Sequence, residues 1–140
     1  MKVKSFEDMQ VWQDARVFVK SVYELASLDN FKKDYGFKDQ FQRAAVSIMN
    51  NIAEGFEKDN NKEFRIFLGY AKGSAGEVRS MLYVALDLEY ISKDEFDENY
   101  KKAVNIITQI SNFKKYLLNY AVKEKITKVK SFLLHIININ

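Results

Sequence analysis

The stretch Gln40-Phe-Gln-Arg-Ala-Ala-Val-Ser-Ile-Met-Asn-Asn-Ile-Ala-Glu-Gly55 decides how this chain folds. At 100° per residue, Gln40, Arg43, Ser47, Asn51 and Glu54 fall within about a quarter of a helical circumference. Phe41, Ala45, Ile48, Ile52 and Phe56 lie on one side of this polar stripe, and Val46, Met49 and Ala53 lie on the other. A surface helix needs a single apolar stripe. Two apolar flanks predict a helix enclosed from two directions, by its own bundle on one side and by a second copy of the chain on the other. Arg43 and Glu54 share the polar face but are separated by about 16 Å of helix axis. They cannot pair with each other, and a buried charge left unpaired is costly. If both are buried, each needs a partner on another helix or subunit, an arrangement that suits a head-to-tail ring.

Working outward, the same periodicity predicts three more helices. Ser5-Phe-Glu-Asp8 has capping-box spacing and opens a first helix running to about Ser27, with Trp12, Ala15, Val19, Val22 and Ala26 on its core face. Leu28 to Gly36 reads as a connection, with the second helix from about Phe37 to Phe56. Asn60 and Glu63 cap a third helix from about Asn61 to Tyr90, whose seam is Phe64, Phe67, Ala71, Ser74, Val78, Met81, Ala85 and Leu88. Ser92-Lys-Asp-Glu95 caps a fourth, with Phe96, Ala103, Ile106, Ile110, Phe113, Leu117 and Tyr120 inward. Short loops between long amphipathic helices imply an all-α, antiparallel up-down-up-down four-helix bundle over residues 5–121. After Tyr120 the register fails. Residues 122–140 are expected as a basic tail: a separate amphipathic helix, a kinked continuation or a frayed end.

Composition narrows the function classes. The chain has 140 residues, no proline, no cysteine and five glycines, which excludes disulfides and thiolate metal sites. Its first residues lack the apolar run of a secretion signal, and no segment has the roughly 20 apolar residues of a membrane span. A cytoplasmic protein without integral membrane association is expected. Charge is lopsided: residues 1–100 carry 14 Lys/Arg against 18 Asp/Glu, whereas residues 101–140 carry eight lysines and one glutamate. Lys101, Lys102, Lys114, Lys115, Lys123, Lys125, Lys128 and Lys130 are candidates for phosphate contacts. Alternatively, they form a solvated face.

The motifs of catalysis and metal binding are missing. Lys72-Gly73-Ser74 reverses the order of a P-loop, and Gly-x-Ser-x-Gly is absent. Ser74 has no evident base, because the single histidine, His135, lies in the tail. No Glu-x-x-His pair exists for a di-iron site, so neither metal nor cofactor is expected. Glu54 and Glu77 could form a carboxylate pair, but hydrogen bonding to Asn51, Ser47 or Ser74 is the simpler expectation. Gly69, Gly73 and Gly76 each cost about 1 kcal/mol within a helix, and close helix packing is the expected compensation.

Three motifs occur in order: Phe6 with Val11-Trp-Gln-Asp-Ala15; Gln40-x-x-Arg43-Ala44-Ala45-x-Ser47-Ile48-x-x-Asn51-Ile52-Ala53-Glu54-Gly55; and Gly73-Ser74-Ala75-x-Glu77. Together they resemble the 23S ribosomal-RNA intervening-sequence protein family over roughly residues 5–120. That family is similar in fold to the accessory variability proteins of diversity-generating retroelements, which assist a reverse transcriptase and contact nucleic acid. The resemblance implies a four-helix bundle assembling as a homopentameric ring, without catalytic activity. It assigns structural and subunit-packing roles to Gln40, Arg43, Ser47, Asn51, Glu54, Gly55, Gly73, Ser74 and Glu77, and it gives no support to a function in the tail. The combined expectation is a non-catalytic scaffold or adaptor whose partners are its own copies and RNA, DNA or a nucleic-acid-bound protein. The rival is a purely structural protein-interaction module. Peripheral membrane attachment through the basic tail is a third reading.

Overall fold

The structure, a computed structural model, describes residues 3–139. Met1 and Lys2, part of the stretch read for a secretion signal, and Asn140, the end of the expected tail, lie outside the described residues. The described chain is all-α: helices α1 (Gln10–Ala26), α2 (Tyr35–Glu57), α3 (Asn61–Asp87) and α4 (Lys93–Ile139), preceded by a 3-10 turn at Phe6–Asp8.

Helix starts follow local side-chain chemistry. The Ser5 amide donates to Asp8 Oδ2 at 3.3 Å, but this closes only the 3-10 turn. Met9 is extended at φ −81°, ψ 125°, so α1 begins at Gln10 rather than at Ser5. Asp34 starts α2 two residues earlier than the Tyr35-Gly36 pair suggests. Its carboxylate accepts from the Phe37 amide at 3.3 Å and from the Tyr90 hydroxyl at 2.8 Å. The α3 cap is as expected, with the Glu63 amide donating to Asn60 Oδ1 at 3.0 Å. At α4 the capping is reciprocal: the Ser92 amide donates to Glu95 Oε1 at 2.8 Å, and the Glu95 amide to Ser92 Oγ at 3.2 Å.

One continuous core joins all four helices. Helix α1 contributes Val11, Ala15, Phe18, Val22, Leu25 and Ala26, with Trp12 and Val19 at its margin. Helix α2 contributes Phe41, Ala44, Ala45, Ile48 and Ile52. On α3 the buried set is Phe64, Leu68, Ala71, Ala75, Val78, Met81, Leu82 and Ala85. It is broader than the expected seam, because α3 packs against both α2 and α4. Phe67 and Ser74 lie at the edge of that arc, and Leu88, beyond the helix end, is exposed. Phe31, in the α1–α2 connection, is fully buried against the rings of Phe37, Phe41 and Tyr90.

Side-chain contacts between neighbouring helices run in opposite sequence directions. Between α2 and α3, Gln40 meets Glu77, Ser47 meets Ser74, and Gly55 meets Phe64 and Phe67. Between α3 and α4, the Phe64 ring contacts Phe113 and the Tyr83 ring contacts Phe96. Between α1 and α4, Gln109 donates to Asp14 at 2.6 Å and Ser21 to Asn99 at 2.6 Å. Asn99, the buried polar residue of the core, also donates to the Glu95 carbonyl at 2.9 Å.

Helix α4 changes character along its 47 residues, about 70 Å of axis. Phe96, Ala103, Ile106, Ile110 and Leu117 are buried and Phe113 is half-buried, but Tyr120, expected inward, is exposed. The core ends at Leu117 while the helix does not. Of the three forms expected for the tail, the described residues take the continuation, as part of one α-helix. No glycine or proline follows Gly76 to stop it.

Candidate functional site

Helices α2 and α3 bring most of the polar motif to one open groove. It has a volume of about 500 Å³ and is lined by Asp39, Gln40, Arg43, Ala44, Ser47, Ser74 and Glu77. The spacing of these residues on two helices of opposing contact order makes a ladder. Gln40 Nε2 donates to Glu77 Oε1 at 3.2 Å, and Ser47 Oγ and Ser74 Oγ lie 2.9 Å apart. One turn further, Asn51 Nδ2 donates to the Ser47 carbonyl at 2.8 Å and to Ser47 Oγ at 2.9 Å.

The charged members behave differently from expectation. Arg43 Nε pairs with Asp39 Oδ2 at 2.9 Å, four residues back on its own helix, and both side chains are well exposed, at 80% and 61%. Within one chain Arg43 thus needs no partner from another helix. Glu54 is exposed as well. It does not meet Glu77, whose partner Gln40 sits roughly 21 Å away along the α2 axis. The carboxylate pair is not formed. Nor does a catalytic constellation form around Ser74: its hydroxyl partner is Ser47, and His135 is exposed on the far part of α4. Of the second apolar flank of α2, Met49 packs against the core, whereas Val46 and Ala53 stay half-buried outside it.

The glycines also divide. A Cβ on Gly55 would lie 2.7 Å from Phe67 Cβ and 3.0 Å from Phe64 Cδ1, so α2 and α3 approach closely there. At Gly73 and Gly76 a Cβ would meet nothing within 4 Å, and at Gly69 it would meet only Lys114 Nζ at 3.2 Å. Close packing inside one chain therefore does not account for Gly73 and Gly76, contrary to expectation, whereas at Gly69 the Lys114 side chain of α4 comes near.

The eight lysines do not form one patch. Lys102 Nζ is tied to Glu98 at 3.0 Å and to Ser21 at 3.4 Å, half-buried between α1 and α4. Lys101 is exposed. It lies thirteen residues, roughly 20 Å, from Lys114. Lys123, Lys125, Lys128 and Lys130 lie on the part of α4 that has left the core, with Lys128 3.6 Å from Glu124. Lys114 and Lys115, however, join two cations that sequence reasoning missed. Together with Lys62, Arg65, Ile66 and Leu118 they line a groove of about 410 Å³. Four cations and no acid face this space. Arg65 Nε is buried without a hydrogen-bond partner among the described residues. A donor left so costs about 1–3 kcal/mol unless an acceptor arrives. Lys62 and Arg65 share a helix face, but only the pairing of the start of α3 with the middle of α4 brings them to Lys114.

Among the described residues, no group of three or more His, Cys, Asp or Glu side chains could hold a metal ion. None of their helices is long and apolar enough to cross a membrane.

Comparison with known proteins agrees with this fold. A crystal structure of a protein of unknown function from the S23 ribosomal protein family of Bacteroides thetaiotaomicron superposes with a TM-score of 0.69 at 21% identity. The match covers 75% of this chain and 98% of that one. No curated protein matches the chain. The family model described as 23S rRNA-intervening sequence protein matches residues 7–112, from the first turn to the middle of α4. With three quarters of its length matched, the chain belongs to the 23S rRNA-intervening sequence protein family.

Proposed function

We propose that this chain is a non-catalytic scaffold: an up-down-up-down bundle that assembles with its own copies, five in the arrangement the family resemblance implies, and offers a basic groove to nucleic acid. The observation that carries the nucleic-acid reading is the convergence of Lys62, Arg65, Lys114 and Lys115 on one groove with no acidic residue in its lining. Phosphate oxygens satisfy such donors without base-specific geometry, so binding is sequence-independent. Repeating the groove around an oligomer raises a weak site to a useful one through avidity.

Self-association is supported by α2 and α3. The ladder from Gln40 to Asn51 leaves Arg43, Asp39 and Glu54 exposed along one face, with Val46 and Ala53 half-covered beside it. Beyond them, Gly73 and Gly76 keep part of α3 flat where the chain itself packs nothing. A second copy seated there gives those glycines the close approach that one chain lacks.

Anisotropy titration of labelled single-stranded RNA and duplex DNA, at low and moderate salt, tests the nucleic-acid reading. Affinity is expected to fall steeply with salt and to drop roughly tenfold or more on substituting Lys114→Gln with Lys115→Gln. Absence of binding at low salt removes the nucleic-acid part and leaves the rival reading, a protein-interaction module.

A further inference from the structure

We infer that the last part of α4 is an interfacial helix that docks on an anionic lipid surface. Leu118 still lines the groove with Ile66 of α3, but no described residue beyond it is buried, and a continuous apolar stripe runs on from it. Leu118, Val122, Ile126, Val129, Leu133 and Ile136 are each 40–57% exposed. At 100° per residue they fall within an arc of about 80°. Phe132 and Ile137 widen the arc on either side, while Tyr120 and Leu134 fall outside it. The stripe is about 30 Å long, and an isolated helix with such a face is marginal in water. A covering surface is therefore expected.

Charge identifies the cover. Lys125 and Lys128 border one edge of the stripe, and Lys123 and Lys130 border the other. Glu124, the acidic residue of the segment, lies on the opposite side with Thr127 and Ser131. Lysines on both shoulders of an apolar face match a helix lying in the headgroup plane: aliphatic side chains enter the acyl region and ammonium groups reach anionic headgroups. Pairing with a second copy's extension fits less well. Val122, Ile126, Val129, Leu133 and Ile136 do keep a 4-3-4-3 repeat, but the flanking positions hold Lys123, Lys125 and Lys130, so lysine would face lysine across the seam. A nucleic acid would use the lysines and leave the aliphatic stripe wet. The segment is too charged to span a bilayer. The family match stops at residue 112, so the stripe lies outside the matched segment.

Flotation of the full chain with phosphatidylcholine vesicles, with and without phosphatidylglycerol, tests the inference. The chain is expected to float with the anionic vesicles and not with the neutral ones, and to be released by salt. Ile126→Glu with Leu133→Glu is expected to cut the floating fraction roughly tenfold. That variant keeps every lysine, so its RNA binding should be unchanged. Lys114→Gln with Lys115→Gln should do the reverse, which separates failure here from failure of the nucleic-acid groove. No flotation with anionic vesicles overturns the inference. So does flotation that survives the double glutamate variant, or a double variant whose main effect is a smaller oligomer, which would make a second copy the occupant.

Discussion

The two parts of α4 are built from similar residues and end in opposite environments. Residues 93–117 carry five lysines and residues 118–139 carry four, so basic charge does not distinguish them. Direction does. The buried set Phe96, Ala103, Ile106, Ile110 and Leu117 points at the bundle, whereas the stripe from Leu118 to Ile136 is rotated roughly 120° around the same helix. Helical period establishes that a segment is amphipathic, but not what it faces. Near Lys93 the apolar face meets α3 and α1; beyond Leu118, which lies against the start of α3, no described residue of α4 is buried.

The sharpest way to break this contrast is to truncate one aliphatic residue in each part. Ile110→Ala should cost about 2–5 kcal/mol of unfolding free energy. Ile126→Ala should stay within about 0.5 kcal/mol. Urea titration of both variants checks this, and equal losses would mean that the extension is packed within the chain. A second contrast is between glycines. Gly55→Ala forces a methyl group against Phe67 and Phe64 and should cost about 1–3 kcal/mol. Gly73→Ala meets open space in the chain and should gain up to about 1 kcal/mol of helix stability. A weakened assembly in that same variant would locate the subunit contact on α3.

Much of the fold was legible in the sequence. Caps at Asn60 and Ser92 and runs of 3/4 spacing identified α2, α3 and the start of α4 to within a few residues, but not the end of α4, which continues past Tyr120 to Ile139. The start of α1 was not legible, because the capping signal at Ser5 also suits a 3-10 turn and the extended Met9 gives no sequence cue. The α3 seam was drawn too narrow, since spacing alone does not reveal that a helix packs on two sides. In the candidate site, Gln40, Ser47 and Asn51 share a face of α2, and that face meets Ser74 and Glu77 of α3, a pairing between helices that spacing along one helix does not give. The pairing of Arg43 with the i−4 acid Asp39 within one chain was not drawn from the spacing, although Asp39 is in reach on the same helix. Lys62 and Arg65 escaped notice because their significance depends on Lys114 and Lys115, about fifty residues away in sequence.

Smaller effects refine the comparison between the polar ladder and the apolar core. Ser47→Ala leaves Ser74 without its hydroxyl partner and should cost about 0.5–1.5 kcal/mol, measurable as a lower urea midpoint. At the other end of the bundle, the hydrogen bond to Asp34 holds the Tyr90 hydroxyl above the ordinary tyrosine value of 10.0, with burial and the Asp34 charge adding to it. A raised folded-state value means this contribution is complete below the ordinary value and is lost as pH climbs through the raised one. Tyr90→Phe should therefore lower stability below that range, where the hydrogen bond contributes in full, and flatten the alkaline fall. Thermal melts of both proteins across alkaline pH check the sign.

Assembly through the exposed face of α2 and α3 is the claim on which the scaffold reading turns. Light scattering coupled to size exclusion, on the full chain at moderate salt, measures it directly. A single species of several chain masses is expected, five if the family resemblance holds, shifting to smaller species on Arg43→Ala. A monodisperse species of one chain mass would contradict it.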